Sequence, residues 1–173
     1  MSPTRLRTTL TVVLSLAAAL AVSHALAMTE AGRFPGAWRL ISAEYRAMDG
    51  SLVESPWGPE PQGMLMYDSY GNMSVQLGRR ERPRFASGDQ LRGTAEEIKA
   101  AFESYNGYWG RYEVDERTRT ITHHVQQAMF PNWVGTKQVR HYKFQDNKLI
   151  FTTPPIRRGG QEVTGVVVWE RVQ

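Results

Sequence analysis

Residue patterning along the chain predicts an all-β protein: an eight-stranded antiparallel up-and-down β-barrel with one short helix between its third and fourth strands. Three observations lead there. Short runs of aliphatic, aromatic and β-branched residues recur between turn signals rich in Gly, Asp and Asn. A single segment carries helical rather than alternating periodicity. Many short antiparallel strands in one domain also favour closure, because a closed sheet leaves no edge exposed. A two-sheet sandwich is the competing architecture.

The elements follow in order. Residues 1–27 have the form of a secretory signal peptide: Arg5 and Arg7, an apolar run from Leu10 to Val22, then Ala25-Leu26-Ala27 as an A-x-A cleavage site. That run is short for a membrane span, which needs about 20 residues, so no stable span is expected after cleavage. An uncleaved N-terminal anchor is the alternative. The remaining residues, 28–173, form one domain.

Its expected strands are Trp38 to Arg46, Gly63 to Tyr67, Asn72 to Leu77, Tyr108 to Val114, Arg119 to Ala128, Gln138 to Phe144, Lys148 to Thr153 and Val163 to Arg171. Turn signals separate them, such as Asp68-Ser69-Tyr70-Gly71. Between the third and fourth strands, Thr94-Ala95-Glu96-Glu97 forms a capping box. Ile98, Ala101, Phe102 and Tyr105 then repeat at helical spacing, and Asn106-Gly107 ends a helix of about three turns.

Composition narrows the function classes. The chain has 173 residues and no Cys, which excludes disulfides, thiolate metal sites and cysteine nucleophiles. The formal net charge of +4 falls to +2 once Arg5 and Arg7 leave with the signal segment. A near-neutral exported domain without an extended basic face is not expected to bind nucleic acid. There is no G-x-S-x-G, H-E-x-x-H, P-loop or dinucleotide fingerprint. No cofactor is expected: a haem attachment motif is missing, and a small barrel offers little volume for His123 to ligate one.

Two end motifs and a middle series carry a family resemblance. Gly36-Ala37-Trp38 opens the first strand and Trp169-Glu170-Arg171 closes the last. Between them stand Gly63-Met64-Leu65-Met66-Tyr67, Gly71-Asn72-Met73-Ser74, Tyr108-Trp109-Gly110-Arg111-Tyr112, Thr122-His123-His124-Val125, Phe130-Pro131-Asn132-Trp133-Val134-Gly135 and Val139-Arg140. This series resembles the lipocalin-like domain family of bacterial and fungal proteins across essentially the whole domain. The resemblance implies an eight-stranded lipocalin-like barrel, with Arg171 packed on Trp38 as a plug at the base. It implies no particular ligand. Many members begin directly at the barrel, so the export signal is a departure.

Alternation assigns the inward face independently. Ile121, His123 and Val125 share one face of their strand, and the apolar face points inward. A two-residue turn at Glu116-Arg117 would pair Tyr112 with Ile121 and Gly110 with His123, leaving space beside the imidazole. A hairpin symmetric about Asn132-Trp133 would pair His123 with Tyr142 and Val125 with Arg140. Tyr67, Tyr108, Tyr112, His123, Arg140 and Tyr142 then form the expected ligand-binding wall. An inward Arg140 has two readings. It anchors an anionic head group, or it is satisfied internally by Glu44, Glu113 or tyrosine hydroxyls. His123 is a proton-transfer residue or a packed, hydrogen-bonded core residue. The same hairpin would oppose His124 and His141, both outward and without a third ligand, so no metal site is expected. Arg79-Arg80-Glu81-Arg82-Pro83-Arg84 lies in a loop long enough to cross the barrel mouth. It is a solvated loop or a funnel for anionic ligands.

The leading expectation is therefore an exported, periplasmic or secreted lipocalin-like protein that binds a small hydrophobic or amphipathic molecule with an anionic head. The alternatives are a cofactor-free isomerase, cyclase or hydratase that uses His123 for proton transfer, and a filled structural barrel whose partner is another protein. Neither the oligomeric state nor the ligand's identity follows from the sequence.

Overall fold

A computed structural model describes residues 29–173; the expected signal peptide, 1–27, lies outside the described residues. The chain divides at Arg33 into two compact units. In the first, a 3₁₀ turn over Ala31–Arg33 follows Thr29, whose hydroxyl and carbonyl both accept from the Gly32 N–H. The second, Phe34–Gln173, is the barrel.

Ten strands, one α-helix and one 3₁₀ turn make up the barrel unit: β1 (Gly36–Ala47), β2 (Leu52–Val53), β3 (Gln62–Tyr67), β4 (Asn72–Gly78), α1 (Ala95–Glu103), β5 (Tyr105–Asp115), β6 (Thr120–Ala128), the 3₁₀ turn Pro131–Trp133, β7 (Lys137–Gln145), β8 (Lys148–Thr152), β9 (Ile156–Arg158) and β10 (Gln161–Arg171). Eight strands pair in the order β1-β3-β4-β5-β6-β7-β8-β10, and β10 returns to pair with β1. The barrel is closed, all-β and antiparallel. Closure lets every central strand satisfy its backbone on both sides.

Three expectations need correction. The helix follows the fourth strand, not the third, and there are two further strands. β2 pairs only with the end of β1, and β9 only with the start of β10. At two and three residues they are too short for alternation to reveal them. Finally, α1 ends at Glu103, so Tyr105 belongs to β5 and pairs with Gly78. Sheet pairing with β4 overrides the helical stripe there.

The capping box itself forms, with Thr94 Oγ1 accepting from the Glu97 N–H and the Glu97 carboxylate accepting from the Thr94 N–H. No residue of α1 is buried, and Ile98 and Phe102 are 52 % and 46 % exposed.

The registers also differ from expectation, by even steps. Tyr112 faces His123 and Val114 faces Ile121, two residues from the expected pairing, because the β5–β6 turn holds four residues and places Arg119 at φ 52°. Ile121 faces Arg140 and His123 faces Gln138, four residues from expectation, because the Pro131–Trp133 3₁₀ turn lies toward the β7 side. Even slips preserve every inward and outward assignment. His124 and His141, however, face Lys137 and Thr120 rather than each other.

Gly110 opposes Val125 at a bulge, not His123. A Cβ there would stand 2.0 Å from the His124 carbonyl oxygen, so close backbone approach requires the glycine.

One end of the barrel is filled by aromatic rings. Phe34, fully buried, packs edge-on against Tyr67, Tyr142 and Phe144, with centroids 5.7, 5.0 and 5.0 Å away. Trp38 Nε1 donates to the Phe34 carbonyl at 2.9 Å. The Arg171 guanidinium lies 4.1 Å above the Trp38 ring and donates to the Pro35 carbonyl. Gly36, at φ 131°, leaves room for that guanidinium, which a Cβ would meet at 2.6 Å.

Candidate functional site

Above the aromatic plug the barrel opens into a cavity of about 770 Å³. Its walls come from inward positions of the strands: Leu65, Val75 and Leu77, Tyr108, His123, Gln138 and Arg140, Phe151, and Val167 and Trp169. The mouth is framed by Tyr45, the segment Val53–Trp57, Arg79, Phe102, Phe130 and the β9 turn. This size is typical of a small-molecule site, and the lining mixes aliphatic and aromatic side chains with polar and charged ones, among them Glu54, Arg79, Glu103, His123, Gln138 and Arg140.

The polar groups meet on one imidazole. His123 is 2 % exposed, and both of its ring nitrogens are engaged. Nε2 lies 2.6 Å from the Tyr67 hydroxyl, and Nδ1 lies 2.9 Å from the Tyr108 hydroxyl. Tyr67 and His123 are 56 residues apart in the chain and come from β3 and β6, so barrel closure alone makes this contact.

Burial sets the electrostatics of this cluster. It pushes the Tyr67 phenol well above its ordinary pKa and raises Tyr108 less, with the Arg140 charge opposing the rise at both. It pushes His123 well below the usual imidazole value, and the positive charge of Arg140 acts in the same direction. His123 is therefore neutral at pH 7, one nitrogen protonated and one bare.

Arg140 projects inward from β7 and is only partly buried. Its Nη1 donates to the Val139 carbonyl at 2.8 Å, and its charge opposes the burial-driven rise of the Tyr108 phenol. Among the described residues, no carboxylate ion-pairs with it. Glu44 pairs with Arg46, and the Glu113 carboxylate lies 3.1 Å from His124 Nε2 on the outer surface. The internal salt bridges considered for Arg140 are thus not formed.

The six residues expected on the binding wall separate by depth. Tyr108, His123 and Arg140 line the cavity. Tyr67 stands behind His123 and does not line it. Tyr112 and Tyr142 lie off the cavity, toward the aromatic plug. The Tyr112 hydroxyl donates to the Asp68 carbonyl at 2.9 Å, and the Tyr142 ring packs on Phe34 and Phe144. Alternation assigns the face of the barrel wall but not the depth, which depends on strand tilt.

Several lining residues were not anticipated. Gln138, Phe151 and Thr153 carried a usable signal, since each shares parity with an inward neighbour on its own strand or just beyond it. Trp57 and Arg158 carried none, because Trp57 sits in a turn and β9 is too short for alternation to show. The Arg158 guanidinium lies 4.7 Å from the Tyr45 ring and 5.1 Å from the Trp57 ring, bracing the mouth from above.

The basic run is also committed to local structure. Arg79 donates to the Pro56 carbonyl, Arg80 pairs with Glu60, and Arg82 donates to the Ala101 carbonyl and lies over Tyr105. No cluster of three or more His, Asp or Glu placed to hold a metal exists among the described residues. No helix among them is long and apolar enough to cross a membrane.

Closed antiparallel barrel, aromatic base and an interior cup with a buried tyrosine–histidine cluster describe a lipocalin-like protein. The chain matches the lipocalin-like domain family over residues 35–172 and belongs to it. Among curated proteins it is similar to the 4′-hydroxy-3′-methoxypropiophenone carrier protein ppsC of Aspergillus oryzae. The two are 31% identical over 107 residues, which cover 58% of this chain and 96% of that one. Among solved structures it aligns with a lipocalin-like protein from Bacteroides uniformis at 11% identity. That alignment covers 82% of this chain and 100% of the other, with a TM-score of 0.42.

Proposed function

We propose that this protein is an exported carrier that holds one small amphipathic molecule inside the barrel. Its polar head lies against Tyr108 and Arg140, and its apolar body lies along Val75, Phe151, Val167 and Trp169. The observation that carries this reading is Arg140, a charge that lines the cavity and has no carboxylate partner among the described residues. Such a group is costly to keep unless a bound molecule completes its hydrogen bonds. The similarity to a protein named as a carrier of an aryl ketone supports the same class of cargo.

Turnover is the second reading, and the site restricts it. Both His123 nitrogens are held by tyrosines, so any proton His123 moved would have to pass through Tyr108.

The test is native mass spectrometry of protein purified from its own host, followed by solvent extraction of bound material. A reproducible small molecule with an aromatic or aliphatic body supports the carrier. Consistently empty protein that also fails to bind aryl ketones in titration calorimetry refutes it. Arg140→Met should weaken ketone binding by about 10- to 100-fold, the scale of a hydrogen bond to a charged group, with the melting temperature unchanged or raised because a costly inward charge is gone. An unchanged affinity removes Arg140 from the binding site.

A further inference from the structure

The hydrogen bonds around His123 have a direction. A neutral imidazole offers one N–H donor and one bare acceptor, so of its two tyrosine neighbours one must donate to it and the other must accept from it. The two choices are not equivalent. If Nε2 carried the proton, it would donate to Tyr67 Oη and Tyr108 would donate to Nδ1. The Tyr67 hydroxyl proton would then need another acceptor. Tyr67 is buried, lies off the cavity, and has no other hydrogen-bond partner among the described residues. That leaves a buried O–H unsatisfied, which is expensive.

The opposite choice satisfies every group. Tyr67 donates to Nε2 and Nδ1–H donates to Tyr108 Oη, while Arg140, which has only donors, lines the same cavity as Tyr108. Having accepted from Nδ1–H, the Tyr108 hydroxyl has its own proton free to point into the cavity it lines.

We propose that Tyr67, which does not touch the ligand, fixes His123 as the Nδ1–H tautomer, so that Tyr108 and Arg140 present only donors and select a cargo whose buried end is a carbonyl or oxyanion oxygen. This rests on the carrier reading for the cargo but not for the tautomer. Tyr67 is a positioning residue, acting through His123. The site discriminates against hydrocarbons that lack an acceptor oxygen by leaving donors unpaired, and against donor-only head groups by meeting donor with donor.

The test has two independent readouts. In the ligand-free, ¹⁵N-labelled protein, the His123 ring nitrogens should show a protonated Nδ1 and a bare Nε2. A protonated Nε2 overturns the proposal whether or not anything binds. The second readout compares propiophenone with propylbenzene, which share a shape and differ in the carbonyl. The ketone should bind the wild-type protein at least tenfold more tightly. Tyr108→Phe should reduce that preference at least fivefold, with Arg140 left as the remaining donor. Tyr67→Phe should reduce it at least fivefold while propylbenzene affinity holds, and the His123 nitrogen pattern should change. An undiminished ketone preference in Tyr67→Phe overturns the positioning role. If neither probe binds, the carrier reading and the cargo half of the proposal fall together, and the nitrogen shifts still decide the tautomer.

Discussion

At the residue scale the controlling feature is a neutral histidine between two phenols. Burial holds the folded-state pKa of His123 below its unfolded value of about 6.5, so the unfolded chain takes up that proton first. The stability contributed by the neutral ring is therefore complete above about pH 6.5 and is lost as pH falls toward the depressed value. Melting temperatures measured from pH 8 down to pH 5 should fall more steeply for the wild type than for His123→Gln. Equal slopes would show that His123 does not titrate between the two states. The phenols of Tyr67, Tyr108 and Tyr112 work at the other limit. Their raised values mean that the unfolded chain ionises first above about pH 10, so stability falls as pH rises past that point.

At the scale of elements, strands and helix contribute differently. The β5–β6 pair is held close at its bulge, where Gly110 leaves no space for a side chain. Gly110→Ala should cost about 1–3 kcal/mol, the range for forcing atoms into a packed region, as a lower midpoint in urea unfolding. A neutral result would mean that the bulge relaxes freely. Helix α1 buries no side chain, so its stability depends largely on its cap. Thr94→Ala should loosen α1 by about 1 kcal/mol, visible as faster amide exchange over Ala95–Glu103, while the main unfolding transition stays in place. Coupled loss of the barrel would show that the helix is part of the cooperative unit. The α1 face of Ile98 and Phe102 illustrates what periodicity conveys: it marks a helix, but it does not say that the apolar stripe is covered.

At the scale of the whole molecule, export is the proposal that affects which cargo the barrel meets. Protein recovered from the host should begin at Met28, by intact mass and N-terminal sequencing, in the periplasmic or secreted fraction. Full-length chain in the cytoplasm would overturn export. The barrel itself was foreseeable from local signals, because alternation is a property of each strand taken singly. Ile121, His123 and Val125 point inward on β6, and Arg140 points inward on β7, at any register that slips by an even number of residues. That is why errors of two and four residues in pairing left the inner face intact. The same locality explains what alternation missed. Turn lengths set the registers, and strand tilt set the depth of each side chain, separating Tyr108, His123 and Arg140 in the cavity from Tyr112 and Tyr142 near its base. Closure of the sheet brought Tyr67 from β3 to His123 on β6, a contact that no spacing along the chain encodes. Composition and periodicity thus specified an all-β domain and the chemistry of its inner face, since both depend on neighbours in sequence. The cavity, the direction of its hydrogen bonds and the charge left inside it arose from distances between strands, which exist only once the ring is closed.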